Sequence, residues 1–316
     1  MSHRLTEAAR GVFIISATPF DDHGAVDHHS LARLTQFYLE KGVTGITILG
    51  MMGEAPKLTA EESEAVITTV MSEVARRVPV VVGVSNAGLD NLARLADTAM
   101  TAGAAGVMIA PNAGAKTETG VITAFERIAT RLPGVPLVYQ DFPLTTQMPI
   151  SAKAFIDLVE ENASVVMLKH EDWPGLQKLS DIRAQSEKRG VRRVSILCGN
   201  GGLYLPQELA RGADGAMTGF AYPEMLVEVV RRHLAGDVDG AEDVFDAYLP
   251  LIRHEQQPGY GLAVRKEILR RRGVIASAAV RAPGPKIDAA GHDELTRLTA
   301  RLDARLSALG SAKAAA

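Results

Sequence analysis

Lys169 ends the apolar run Val165-Val166-Met167-Leu168, and a primary amine in that position has two possible uses. An ammonium at the end of a buried strand is costly to desolvate, so it is paired, solvated or neutral. A neutral lysine amine is a nucleophile that condenses with a ketone or aldehyde to a Schiff base. The plainer reading is a strand-end lysine that reaches solvent or pairs with the nearby Glu171 or Asp172. Position and pattern alone leave both readings open. Strand alternation adds that if Lys169 faces one side, so do Val165, Met167 and Glu171, while Leu168 and His170 face the other.

The elements that must hold Lys169 follow from an eightfold alternation. Short Val- and Ile-rich runs occur at Val12–Ala17, Gly45–Leu49, Pro79–Val84, Gly106–Ala110, Pro136–Gln140, Val165–Lys169, Val194–Cys198 and Gly215–Thr218. Each is nearly continuous in apolar residues, as strands are when both faces are covered. Helical patterns separate them. Thr59-Ala60-Glu61-Glu62 has capping-box spacing and is followed by Ala65, Val66, Val70 and Val74 on a helical period. Ser151 precedes Phe155, Ile156, Leu158 and Val159 in the same way. Pro174 and Pro223 suit a first helical turn, which needs no backbone N–H.

Repeated strand–helix units of about 30 residues imply a parallel sheet with crossover helices. Eight of them, with no Gly-rich dinucleotide fingerprint after the first strand, predict a closed (β/α)8 TIM barrel in the α/β class. We place the barrel at residues 1–235, with a short leader at Met1–Gly11. Residues 236–316 form a helical extension on the same domain, with helices at Ala241–Glu255, Gly261–Arg272 and Asp293–Leu309 and a frayed tail from Gly310.

In such barrels the active site lies at the C-terminal ends of the strands. These ends carry Gly50-Met51-Met52-Gly53-Glu54, Tyr139-Gln140-Asp141-Phe142-Pro143, Lys169-His170-Glu171-Asp172, Cys198-Gly199-Asn200 and Met217-Thr218. The glycine-framed second loop, the strand-five end before Pro143, Lys169 and the strand-seven glycines stand in the order of the dihydrodipicolinate synthase/N-acetylneuraminate lyase family, which the chain resembles over the whole barrel. The resemblance implies a class I aldolase-type enzyme in which Lys169 condenses with the keto group of a 2-oxo acid, and a homotetramer built as a dimer of dimers.

Departures from the family pattern bear on the substrate. The two small, usually hydroxylic residues between the loop glycines are Met51 and Met52 here. Their backbone N–H groups remain for a carboxylate, while the thioethers widen the pocket and make it more apolar. The family's proton-shuttle tyrosine falls on Gln140 when aligned on Pro143 without a gap, and Tyr139 stands one step earlier. Both cannot point inward, because a one-residue shift reverses the strand face. The gap-free alignment favours Gln140, which cannot exchange a proton at neutral pH, leaving a water or a carboxylate, Glu54 or Glu171, to do so; Glu54 is read first as a structural carboxylate bonded to loop backbone.

No arginine follows Pro143, where Leu144-Thr145-Thr146 stand, and no tyrosine occupies Pro111-Asn112-Ala113-Gly114 after strand four. The candidate catalytic residues are Lys169, Gln140 and Tyr139. Gly50, Met51, Met52, Gly53, Glu171, Gly199 and Met217 are assigned to substrate binding. The strand-five end resembles the branch of 2-keto-3-deoxy sugar acid dehydratases. The expected activity is a Schiff-base lyase, by dehydration or by pyruvate-releasing retro-aldol cleavage. The alternatives are 4-hydroxy-tetrahydrodipicolinate synthesis and a non-catalytic keto-acid-binding barrel.

Bulk properties exclude other classes. Across 316 residues, 47% are hydrophobic and the formal charge is −3, which suits a large core and leaves no basic footprint for nucleic acid. The lone Cys198 fits a reducing compartment, and no run approaches the ~20 apolar residues of a membrane span. We therefore expect a cytoplasmic protein without membrane or nucleic-acid partners. No metal or cofactor is expected, since His28-His29 and His254-Glu255 lack ligand spacing. His170 is expected to face the helices and Cys198 to belong to the core.

Overall fold

The structure is a computed structural model that describes residues 4–111 and 114–314. Eight parallel strands close a barrel in sequence order: β1 (Gly11–Ile15), β2 (Gly45–Ile48), β3 (Val80–Gly83), β4 (Gly106–Ile109), β5 (Leu137–Asp141), β6 (Val165–His170), β7 (Ser195–Cys198) and β8 (Gly215–Ala216). Every residue of these strands is buried. Continuous apolar runs, rather than alternating ones, are what strands packed on both faces require.

The helices are α1 (His28–Glu40), α2 (Ala60–Val74), α3 (Leu89–Thr101), α4 (Glu118–Arg131), α5 (Pro143–Thr146), α6 (Ala152–Glu161), α7 (Gly175–Arg189), α8 (Leu205–Ala210) and α9 (Pro223–Leu234). Their starts follow local chemistry. Thr59 Oγ1 accepts from Glu62 N–H while the Glu62 carboxylate accepts from Thr59 N–H, a complete capping box for α2. Ser151 caps α6, and Pro223 opens α9. Pro174, by contrast, is the residue before α7 rather than inside its first turn.

The core has two parts. One lies between barrel and helices, and includes Ile46, Val70, Tyr139, Phe155, Leu168 and Ile196. The other fills the lumen with Phe13, Ile15, Val81, Met108, Val138, Met167, Leu197 and Met217. Val165 departs from simple alternation. Leu137 pairs with Val165 but Val138 pairs with Met167, so β6 carries an extra residue at this point. Val165 therefore packs toward the helices and Val166 toward the lumen, whereas alternation placed Val165 inside. Regular alternation resumes at Met167.

The extension consists of α10 (Val238–Glu255), α11 (Gly261–Arg271) and α12 (Ala289–Ala314). Helix α12 runs past Gly310, where a frayed tail was expected; residues 315–316 lie outside the described residues. The leader is partly held as well: Leu5 is buried and its N–H donates to Ala105 O. Residues 1–3 are outside the described residues. No helix among the described residues is long and apolar enough to cross a membrane.

Candidate active site

Three side chains meet at the C-terminal mouth of β5 and β6. Gln140 is paired with Lys169 across the ladder, so both point into the lumen. Glu171 follows two residues after Lys169 and shares its side. Lys169 Nζ lies 2.9 Å from Glu171 Oε2, and Gln140 Nε2 donates to the same oxygen at 2.8 Å. All three are buried, Lys169 to 4% exposure, so the pair sits where electrostatic contacts are weakly screened. One carboxylate thus holds the amine and is itself held by the amide.

Gly199 makes room for that carboxylate. A Cβ there would overlap Glu171 Cγ and lie 2.6 Å from Oε1 and 2.7 Å from Cδ. The Gly199 N–H donates to His170 O, continuing the pairing of β6 with β7 beyond the last strand residue. Met167 and Met217 belong to the lumen cluster beneath, and Met52 packs against it. The floor under Lys169 is therefore apolar and thioether-rich.

The second-strand loop forms a short 3-10 turn, Met51–Gly53, entered from Gly50. The first N–H groups of such a turn, those of Met51 and Met52, are not consumed within it. The loop is fixed from two sides: Thr18 Oγ1 donates to Gly53 O at 2.6 Å, and Glu54 closes the turn in the left-handed region with φ 55°. Both Glu54 oxygens are engaged, Oε1 by Lys266 at 2.6 Å and Oε2 by Lys57 at 2.9 Å and by Arg281 N–H at 3.0 Å. Burial pulls Lys266 down to about 8 despite the facing carboxylate. Glu54 is thereby a structural tie to the extension, and Glu171 is the carboxylate beside the lysine.

A cavity of about 490 Å³ opens along this mouth, lined by Gly50, Met51, Ser85, Asn86, Met108 and Gln140 among others. Ser85 and Asn86 follow β3 after Val84. The rule that strand ends carry the site would have found them had it been applied to that strand. Asn112 and Ala113, in the loop where the family places relay tyrosines, lie outside the described residues.

Tyr139 is not in the site. It points into the helix layer, with ring centroids 5.2 Å from Phe125 and 5.9 Å from Phe155. Among the described residues its hydroxyl has no hydrogen-bond partner, and burial raises its pKa well above the ordinary value. The cause is the period-2 geometry that turns Gln140 inward. His170 also faces the helices, with Nε2 2.9 Å from Gly175 O. Burial alone would lower its pKa, but Asp141 beside it produces a net rise.

Cys198 is fully buried, and its thiol is raised well above its usual pKa, chiefly by burial. Hydroxyl and amide side chains near the mouth serve the turns. Thr218 Oγ1 accepts from Gly201 N–H, Thr146 Oγ1 donates to Phe142 O, and Asn200 Nδ2 donates to Glu171 O. Among the described residues no group of three or more His, Cys, Asp and Glu side chains is arranged to hold a metal.

Comparison with known proteins gives consistent relatives. The chain is 29% identical over 313 residues to L-2-keto-3-deoxyarabonate dehydratase of Azospirillum brasilense, covering 96% of this chain and 97% of that protein. A crystal structure of dihydrodipicolinate synthase from Rhodopseudomonas palustris superposes with TM-score 0.91 at 48% identity, covering 94% and 99% of the two chains. A prophage protein of the dihydrodipicolinic acid synthase family from E. coli, crystallised with pyruvate, superposes with TM-score 0.84 at 25% identity over 93% and 98%. The family model matches residues 8–302, and the chain belongs to the dihydrodipicolinate synthetase family.

Proposed function

We propose that the protein is a Schiff-base lyase in which Lys169 condenses with the keto group of a 2-oxo acid and Glu171 carries the protons. The observation that carries this reading is the convergence of Lys169 Nζ and Gln140 Nε2 on one buried carboxylate oxygen. Glu171 accepts the proton that Lys169 must lose to become a nucleophile. The amine attacks the carbonyl carbon, and Glu171 returns that proton to the oxygen, which leaves as water; the resulting iminium acidifies the protons on carbon 3. Glu171 takes one of them and returns it to the hydroxyl leaving from carbon 4 as water. Hydrolysis of the iminium restores the amine. Gln140 donates to Glu171 and cannot itself exchange a proton at neutral pH, so its part is to orient the carboxylate.

The substrate carboxylate is assigned to the Gly50–Gly53 loop through the Met51 and Met52 N–H groups, with the 2-oxo acid chain over Met217 and Gly199. A 2-keto-3-deoxy sugar acid suits this chemistry, and the similarity to L-2-keto-3-deoxyarabonate dehydratase supports it. Retro-aldol release of pyruvate uses the same iminium with cleavage of the bond between carbons 3 and 4. We take the enzyme to be a homotetramer, on the family resemblance, and cytoplasmic, on its single cysteine.

The 48% identity to a structure described as dihydrodipicolinate synthase favours a second reading, synthesis by aldehyde condensation. The outward-facing Tyr139 and the absence of an arginine in Leu144-Thr145-Thr146 speak against it. Borohydride reduction in the presence of pyruvate, followed by mass mapping, is expected to label Lys169. Turnover of a panel of 2-keto-3-deoxy sugar acids should exceed condensation of pyruvate with aspartate semialdehyde and disappear in Lys169→Ala. Failure of every keto acid to label folded protein, or binding without turnover across the panel, would overturn the lyase reading.

A further inference from the structure

We infer that Lys178, on the helix side of the barrel, is a positioning residue that holds from behind the two strand ends bearing Gln140 and Glu171. The inference rests on the assignment of Glu171 as proton carrier. Alternation gives each inward residue an outward successor: Asp141 after Gln140, and Asp172 after Glu171. Lys178, in the first turns of α7, donates to both, to Asp141 Oδ2 at 2.6 Å and to Asp172 Oδ2 at 2.9 Å. Inside the barrel the side chains of Gln140 and Glu171 bond to each other; outside it their successors share one ammonium. The backbone joins the same two segments where Glu171 N–H donates to Asp141 O at 2.9 Å.

The clamp carries weight because its acids have few other partners. The Asp141 side chain is 1% exposed, its Oδ1 has no hydrogen-bond partner among the described residues, and His170 Nδ1 stands 3.6 Å from Oδ2. Among the described residues Asp172 otherwise accepts from the Trp173 N–H, at 2.7 Å. Without Lys178 two carboxylates would face each other at the back of the mouth, the buried one with only the His170 ring beside it. The loop bearing Glu171 and Asp172 is the part free to yield, since it lies beyond the last residue of β6. Its movement would draw Glu171 from Lys169, and proton transfer is steeply sensitive to such misplacement.

The probe is pyruvate, read two ways: borohydride labelling of Lys169, and exchange of the pyruvate methyl protons in deuterium oxide followed by NMR. Labelling reports the Schiff base; exchange also needs the proton carrier. In Lys178→Met, labelling should stay within about threefold of wild type while exchange falls roughly 10- to 100-fold. Lys178→Arg, which keeps a cation in reach of both acids, should restore much of the exchange. Should Lys178→Met fail to fold, Asp172→Asn removes half of the clamp at a partly exposed site and should lower exchange in the same direction. Undiminished exchange in either folded variant, or loss of labelling in parallel with exchange, overturns the positioning role. Absence of labelling in the wild type would instead defeat the lyase reading on which it rests.

Discussion

Gly199→Ala tests the site through a residue with no chemistry of its own. Gly199 has φ −102°, outside the left-handed region, and what an alanine there meets first is a shortage of space. The new methyl would lie 2.6 Å from Glu171 Oε1 and 2.7 Å from Cδ. Carbon atoms pack at about 3.5–4.0 Å, so Glu171 must retreat by about 1 Å. Its contact with Lys169, now 2.9 Å, then passes beyond hydrogen-bond range. Loss of a positioned general acid–base group lowers rates about 10²- to 10⁴-fold, or roughly 3–5 kcal/mol of barrier.

Overpacking itself should cost only about 1–3 kcal/mol of stability, readable by urea unfolding. The decisive assay is a double-mutant cycle on kcat with Glu171→Gln. If Gly199 acts only by leaving room for Glu171, alanine should add little in the Glu171→Gln background. A kcat in Gly199→Ala within a fewfold of wild type, or full additivity with Glu171→Gln, would refute the reasoning.

Two further outcomes follow from groups outside the lumen. Burial pushes the Glu208 carboxyl from its ordinary 4.5 up to about 7, against the opposing pull of His170 and Cys198, so the folded state binds the extra proton. Its contribution is present below pH 4.5 and is lost as pH rises through 7, a fall of about 3 kcal/mol; His170, also raised, acts in the same direction. Denaturant titrations across this range should therefore show falling stability, and Glu208→Gln should flatten the slope. Tyr139→Phe should leave kcat within about twofold and keep or raise stability, since the buried hydroxyl has no partner among the described residues. A large kcat loss there would return Tyr139 to the site.

Much of the site was legible because it depends on local periods. Eight buried strands announce themselves as continuous apolar runs, and the Thr59–Glu62 capping box is a four-residue event, complete within its own segment. Period-2 alternation also ties Lys169 to Glu171, whichever way the strand faces. The direction itself was open, because it depends on which side the barrel closes. The neighbour pairing of Gln140 with Lys169 decided it and sent Tyr139 outward between Phe125 and Phe155. The extra residue in β6 was equally invisible, since a bulge is a property of two strands paired in space.

What the chain determined by itself was the inventory: a strand-end lysine, the glycine-framed loop, and carboxylates in reach along the backbone. Only the tertiary structure decided which carboxylate serves the lysine. Glu54 and Glu171 are alike as residues, but Glu54 is bound by Lys266 from a helix 212 positions later, and Glu171 is left to Lys169 and Gln140. The reason is physical. A buried carboxylate serves the cation that pairs it: Lys169 stands two residues from Glu171, whereas the Lys266 that occupies Glu54 comes from a distant helix that local sequence does not encode.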